Sequence, residues 1–159
     1  MKLFSKAIIM AVMSTAAIQA SAAGYEIKAH LKGAKYEGKM VKLGISKDLL
    51  DYQYLDSALI KNGTVTFTGK LNGEKLLSLR IFPDDTRAIT NENGAVQRPE
   101  LRVFMGDEKV EITAEIDSLQ SDWDLYSAPM NYKNIEIKGS KQALDFVEFQ
   151  KVLAVKNDA

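Results

Sequence analysis

The chain of 159 residues contains no cysteine, only three prolines and a single histidine. The missing cysteine excludes a disulfide framework, a thiolate nucleophile, a CxxC redox pair and a zinc site built from thiolates. His30 has no second imidazole to join it in a metal site. The 21 basic and 21 acidic residues balance, so the chain lacks the positive excess typical of nucleic-acid-binding proteins. We predict neither a cofactor nor a nucleic-acid partner.

The first 23 residues have the three parts of a secretory signal peptide. Lys2 and Lys6 precede an uncharged run over 7–18, and the small residues Ala20-Ser21-Ala22 close the segment. The uncharged run is shorter than the roughly 20 residues that a membrane-spanning helix needs. With no cysteine available for a lipid anchor, we expect export to the periplasm or cell envelope, not as a lipoprotein. Cleavage after Ala23 leaves no membrane span.

Most of the remaining sequence alternates between apolar and polar residues. The first such stretch runs over 25–31, and its polar face carries Glu26, Lys28 and His30. A period of two is typical of a half-buried strand, so we expect His30 to be solvated on that polar face. This interpretation leaves no catalytic or metal-binding role for the histidine.

Two segments show the pattern of a β-hairpin. Asn62-Gly63 lies between the apolar alternation of residues 52–71, and this dipeptide best tolerates the positive φ of a two-residue hairpin turn. The second predicted hairpin joins residues 101–105 to residues 109–116 through Gly106-Asp107-Glu108. Turn signals at such regular spacing predict an antiparallel β-sandwich or barrel-like domain of about seven or eight strands.

The period changes to that of a helix only after residue 139. Apolar residues then recur at helical spacing, and Ser140 occupies the position of an N-cap. The sequence therefore predicts a mainly β fold, with a signal peptide over 1–23, a β-rich domain over 24–139 and one C-terminal helix over 140–159.

Trp123 is the only tryptophan and lies between Asp122 and Asp124 in an irregular stretch. Exposed aromatic side chains among carboxylates can stack on a sugar ring or bind a partner peptide. Alternatively, Trp123 folds back to cover one end of the sandwich. Trp123, Tyr126 and Tyr132 are the candidate contacts for a ligand or partner. With no GxSxG, P-loop or HExxH motif in the sequence, we predict no catalytic, cofactor-binding or metal-binding residue.

The order of turns and strands resembles a family of exported bacterial domains of unknown function. In that family the domain precedes a TlpA-type, thioredoxin-like thiol:disulfide oxidoreductase domain. The segments that carry the resemblance are Tyr25-x-Ile27-x-Ala29-x-Leu31-x-Gly33, Gly38-Lys39-x-Val41-x-Leu43, Asp56-Ser57-x-x-x-Ile60-x-Asn62-Gly63-x-Val65-x-Phe67-x-Gly69, Phe104-Met105 leading through Gly106 to Val110-x-Ile112-x-Ala114, and Ile135-x-Ile137-x-Gly139-Ser140 before the helix with Phe146 and Phe149. Ala29 replaces a glycine and Val65 an aromatic residue of the family pattern, and both changes preserve the strands.

The resemblance implies a non-catalytic accessory domain that mediates interaction or positioning. The relatives continue through a helical connector into a thioredoxin fold with its CxxC, whereas this sequence reaches Ala159 without a cysteine. The domain would then serve a thiol:disulfide oxidoreductase in cis or in trans. Three alternatives stay open: a glycan- or peptide-binding sandwich, an enzyme that uses a pair of carboxylates, and a homodimer formed through an edge strand.

Overall fold

A computed structural model describes residues 24–46, 52–82, 89–90, 96–126 and 128–157. The predicted signal peptide over 1–23 lies outside these residues, as does most of the polar stretch between Phe82 and Val96. Among the described residues, none of the helices has the length and apolar character needed to cross a membrane.

The described residues form eight strands in two four-stranded sheets, one additional two-stranded pair and one helix. In chain order the elements are β1 (Tyr25–Lys32), β2 (Met40–Ser46), β3 (Tyr52–Leu59), β4 (Thr64–Gly69), β5 (Lys75–Phe82), β6 (Ile89–Thr90), β7 (Val96–Gln97), β8 (Glu100–Met105), β9 (Lys109–Glu115), β10 (Ile135–Lys138) and α1 (Lys141–Asn157). The first sheet has the order β10-β9-β1-β4 and the second β3-β2-β5-β8, while β6 pairs with β7. The predicted mainly β fold is confirmed, with two sheets in place of a closed barrel.

The inner faces of the two sheets share one hydrophobic core. Alternate residues of the strands point into it, and the fully buried ones include Ile27, Leu43, Leu79, Val103 and Ile112. Burial of one such side chain contributes roughly 1.5–3 kcal/mol, so this core can hold the fold without a covalent cross-link. The residues between them in sequence form the two outer faces.

The predicted Asn62-Gly63 turn is present, but the hairpin around it is not. Asn62 and Gly63 have φ of 50° and 66°, and a single bridge joins Lys61 to Thr64. Beyond that bridge the strands separate: β3 pairs with β2 in the second sheet and β4 with β1 in the first. The prediction was wrong because a turn fixes the reversal of the chain, whereas long-range contacts select the partner strand.

The second predicted hairpin is also wrong. β8 pairs with β5 in the second sheet, whereas β9 crosses to the first sheet and pairs in parallel with β1. The crossing lets the apolar faces of both strands cover the same core from opposite sides. The parallel β1–β9 pair is also a departure from the antiparallel sandwich that the turn spacing predicts.

The start of α1 is defined by two residues that the sequence singles out. The Ala143 backbone N–H donates to Oγ of Ser140 at 3.0 Å, which confirms the predicted N-cap. Gly139 has φ of +96°, and a Cβ atom there would lie 2.6 Å from the Lys109 carbonyl oxygen. The helix then packs on the outer face of the second sheet, where the rings of Phe146 and Phe104 have centroids 6.0 Å apart.

Candidate functional site

The three aromatic residues predicted to contact a ligand do not form one surface. Trp123 is 56% exposed, which is too open for the lid interpretation, whereas Tyr132 is buried. The hydroxyl of Tyr132 donates to the Arg102 carbonyl oxygen at 2.7 Å, and burial raises the pKa of this hydroxyl. Tyr132 therefore belongs to the core and does not lie where a ligand or partner would contact it. The side chain of Tyr126 lies outside the described part of the structure.

His30 lies on the polar face of β1, as the alternation predicts. Its Nε2 is 2.8 Å from Oε1 of Glu111 on β9, and its Nδ1 is 3.2 Å from Oγ1 of Thr64 on β4. Both ring nitrogens thus have partners on neighbouring strands of the first sheet. Among the described residues, no group of three His, Cys, Asp or Glu side chains could hold a metal ion.

A cleft of about 210 Å³ lies at one end of the sandwich, and two of its lining residues are close to Trp123 in the sequence. Its lining residues are Tyr36, Gln97, Pro99, Ile116, Asp117, Leu119, Ser121 and Asp124. Asp117 accepts a hydrogen bond from the Tyr36 hydroxyl and forms an ion pair with Lys35, both at 2.7 Å. The hydrogen bond from Lys35, followed by that from Tyr36, lowers the pKa of Asp117.

Glu100 is a fully buried carboxylate on the outer face of the second sheet. Its Oε2 accepts a hydrogen bond from Nε of Arg80 at 2.7 Å, and its Oε1 accepts one from Nε of Arg102 at 2.6 Å. Burial alone would raise the pKa of Glu100, but the adjacent Arg102 and Arg80 outweigh burial and lower it. The arginines also reach other groups: Nη1 of Arg102 donates to the Leu125 carbonyl oxygen at 3.1 Å. This cluster holds the segment around Leu125 against the sheet.

Tyr52 covers the neighbouring part of the same face. Its hydroxyl donates to the Ser78 carbonyl oxygen at 2.7 Å, and the guanidinium carbon of Arg80 lies 3.8 Å from its ring centre. Gly44 permits this arrangement because a Cβ atom there would lie 2.3 Å from the Tyr52 ring. Burial raises the pKa of Tyr52 to about 12. The carboxylate, arginines and tyrosine therefore fix one another on this face.

The outer side of α1 carries large apolar side chains that the domain does not cover. Ala143 and Val147 are buried against the domain. On the other side, the exposed hydrophobic residues are Leu144, Phe149, Val152 and Val155, with exposures between 45% and 72%. Exposed apolar side chains with charged neighbours, here Asp145 and Glu148, are typical of an interaction site in a soluble protein.

Sequence reasoning identified Trp123 and missed the Glu100 cluster and the outer side of α1. Glu100 and Arg102 alternate on the polar side of a strand, but only the register that places Arg80 opposite Glu100 reveals a buried pair. The apolar residues of α1 recur all around the helix, and this was the one available signal that some of them lie away from the domain. Only the packing of the helix on the domain shows which of these residues are buried and which lie on the outer side.

Comparison with known proteins identifies one family. A family model with the description "Domain of unknown function (DUF4369)" matches residues 25–146, which is more than half of the chain. The curated proteins include no match to this chain, and the solved structures include none. The matched residues contain both sheets and the first turns of α1.

Proposed function

We propose that this chain, which belongs to the family Domain of unknown function (DUF4369), is a non-catalytic exported accessory domain that binds a partner protein. The observation that carries the proposal is the outer side of α1, with Leu144, Phe149, Val152 and Val155 exposed on one element. Exposed apolar residues that recur on one side of a helix favour contact with another element or another protein.

The partner class follows from the sequence resemblance. In the similar domains, the helix that begins at the Gly-Ser pair leads towards a thioredoxin-like thiol:disulfide oxidoreductase domain. We therefore propose that a thioredoxin-like domain, in cis or in trans, packs against the outer side of α1. The chain itself has no thiol, so the redox chemistry of such a pair would belong to the partner. The signal-peptide pattern over 1–23 supports export to the periplasm or cell envelope.

The test is a binding measurement with thioredoxin-like oxidoreductases exported by the same organism. We expect calorimetry to detect binding by the chain and a loss of at least about tenfold in the variant Phe149→Ser/Val152→Ser, because that variant removes apolar contact area. Lys28→Ser is the control, since Lys28 is an exposed polar residue on β1 of the first sheet and not on α1. Equal affinity of the chain and the double variant would contradict the proposal.

A second candidate function is the binding of a glycan or a peptide. The observation that favours it is the cleft of about 210 Å³, whose lining residues Ser121 and Asp124 flank the exposed Trp123 in sequence. Tryptophan emission reports contact at this position because the sequence has no other tryptophan. Emission that changes on titration with a glycan or peptide panel would support this function, and unchanged emission would count against it.

A further inference from the structure

The outer faces of the two sheets carry their positive charges differently. On the first sheet, lysines lie beside carboxylates: Lys109 is 3.3 Å from Glu26, and Lys138 is 2.9 Å from Glu136. On the second sheet, three cations contact aromatic rings. These contacts are Lys42 over Tyr54 and Phe82 at 5.1 and 4.5 Å, Arg98 over Phe82 at 4.6 Å, and Arg80 over Tyr52 at 3.8 Å.

In the described part of the structure, the carboxylates that pair with these cations are sheltered from water. Glu100 has no exposed surface and lies between Arg80 and Arg102. Asp122 is 12% exposed and lies 3.6 Å from Arg98. Lys42, Arg80, Arg98 and Arg102 thus set four positive charges against two buried or nearly buried negative ones. Among the described residues of this face, the positive charges therefore outnumber the negative ones.

A row of apolar side chains adjoins the charges. Met40 is in register with Leu59 on one side and with Phe82 on the other, so the three residues cross three strands at one end of the sheet. Met40 and Leu59 are exposed. Lys42 is two residues along β2 from Met40, and the row and the charges therefore form one continuous surface.

The chemistry of this surface selects an anionic peptide over a sugar. The rings already contact cations, so a sugar ring would have to displace a cation before it could stack on one. The positive charge of this face attracts an acidic group directly. Apolar side chains beside that group bury their surface against Met40 and Leu59. Residues i, i+2, i+4 and i+6 of an extended segment face the same side, so a segment with acidic residues at the first two of these positions and apolar residues at the next two presents both to this surface.

We propose that the outer face of the second sheet, over β3, β2 and β5, binds an extended acidic segment of a partner protein. The carboxylates of that segment contact Lys42 and Arg98, and its apolar side chains pack on Leu59 and Met40. This inference goes beyond the docking of α1: the two surfaces share no residue, so either can fail without the other.

Fluorescence anisotropy with a labelled synthetic peptide tests the proposal. The probe is a short peptide with Glu at two alternate positions, Val at the next two alternate positions and Ser between them, and the comparison peptide has Gln in place of Glu. We expect the Glu peptide to bind about tenfold more tightly than the Gln peptide, with affinity that falls as salt is raised. Equal affinity for the two peptides would overturn the proposal.

Variants locate the binding on the molecule. Lys42→Gln and, separately, Met40→Ser should each weaken binding of the Glu peptide by about five- to tenfold. Lys28→Gln, in a central strand of the first sheet, is the matched control and should leave the affinity unchanged. Wild-type affinity in both test variants, with melting curves showing that they fold, would overturn the proposal. Tighter binding of dextran sulfate than of the Glu peptide, again lost in Lys42→Gln, would also overturn it, because a sulfated polyanion would then be the ligand class.

Discussion

Nε of Arg102 donates a hydrogen bond to Oε1 of Glu100 at 2.6 Å, and the Glu100 side chain has no exposed surface. Arg80 holds the second carboxylate oxygen at 2.7 Å. A carboxylate in this position is costly to bury and is retained only because both oxygens are bound to positive charges. The pair links the second sheet to the Leu125 segment, since Arg102 also donates to the Leu125 carbonyl oxygen.

Glu100→Gln should lower the free energy of unfolding by about 3 kcal/mol, because it leaves two arginines without their counter-charge. The cost stays at the lower end of the range for a broken buried pair, since the arginine side chains keep 19% and 20% of their exposure. Urea denaturation measures it. Glu111→Gln is the control: its carboxylate is half exposed and pairs with His30, so we expect a loss below about 1 kcal/mol. Equal losses in the two variants would show that Glu100 does not stabilise the fold.

The same pair gives the stability of the protein a defined dependence on pH. Because the pKa of folded Glu100 lies below its ordinary value, its stabilising contribution is complete above the unfolded pKa and is lost as the pH falls through the folded pKa. The wild-type protein should therefore lose more stability than Glu100→Gln as the pH falls below about 4.5. Denaturation curves at a series of acidic pH values provide the comparison, and parallel losses would contradict it.

Gly139→Ala should destabilise the protein more than Gly38→Ala. Both glycines have positive φ, at +96° and +76°, so both variants carry the cost of placing a side chain in that region. Only at Gly139 would the new Cβ meet backbone, at 2.6 Å from the Lys109 carbonyl oxygen, whereas nothing lies within 4 Å at Gly38. We expect a loss of about 1 kcal/mol at Gly38 and about 3 kcal/mol or more at Gly139, measured by thermal or urea denaturation. Equal losses would rule out the contact with Lys109.

Export predicts a defined N-terminus for the mature protein. Mass spectrometry of the protein recovered from its own cell envelope should give a chain that begins at Gly24, because the small residues before it fit signal-peptide cleavage. Replacement of the small residues Ala20–Ala23 by larger ones should leave an uncleaved precursor. A wild-type protein that keeps Met1 to Ala23 in the cell would contradict the export proposal.

Local sequence predicted those parts of the structure that local chemistry decides. The alternation over 25–31 gave the buried face of β1, Asn62-Gly63 gave a turn with positive φ, and Ser140 gave the start of α1. Each depends on residues within a few positions of one another, and the physical preferences involved act at that range.

The features that local sequence missed depend on contacts between distant residues. The crossing of β8 and β9 to different sheets follows from which strands lie beside them, and Arg80 meets Glu100 only through the β5–β8 register. Tyr132 was a candidate contact because it lies in an irregular stretch, yet its hydroxyl finds the Arg102 carbonyl oxygen thirty residues away in sequence. The same long-range packing leaves Trp123 exposed.

Site-specific photo-crosslinking in the living cell tests whether a thioredoxin-like partner covers the outer side of α1. A photoreactive residue at Val152, which is 56% exposed, should give an adduct whose mass-spectrometric identification is a thioredoxin-fold protein or an attached thioredoxin-fold domain. The same residue at Thr66, on the outer face of the first sheet, should not give that adduct. Adducts at Val152 that join two copies of this domain, or that contain no thioredoxin fold, would contradict the account.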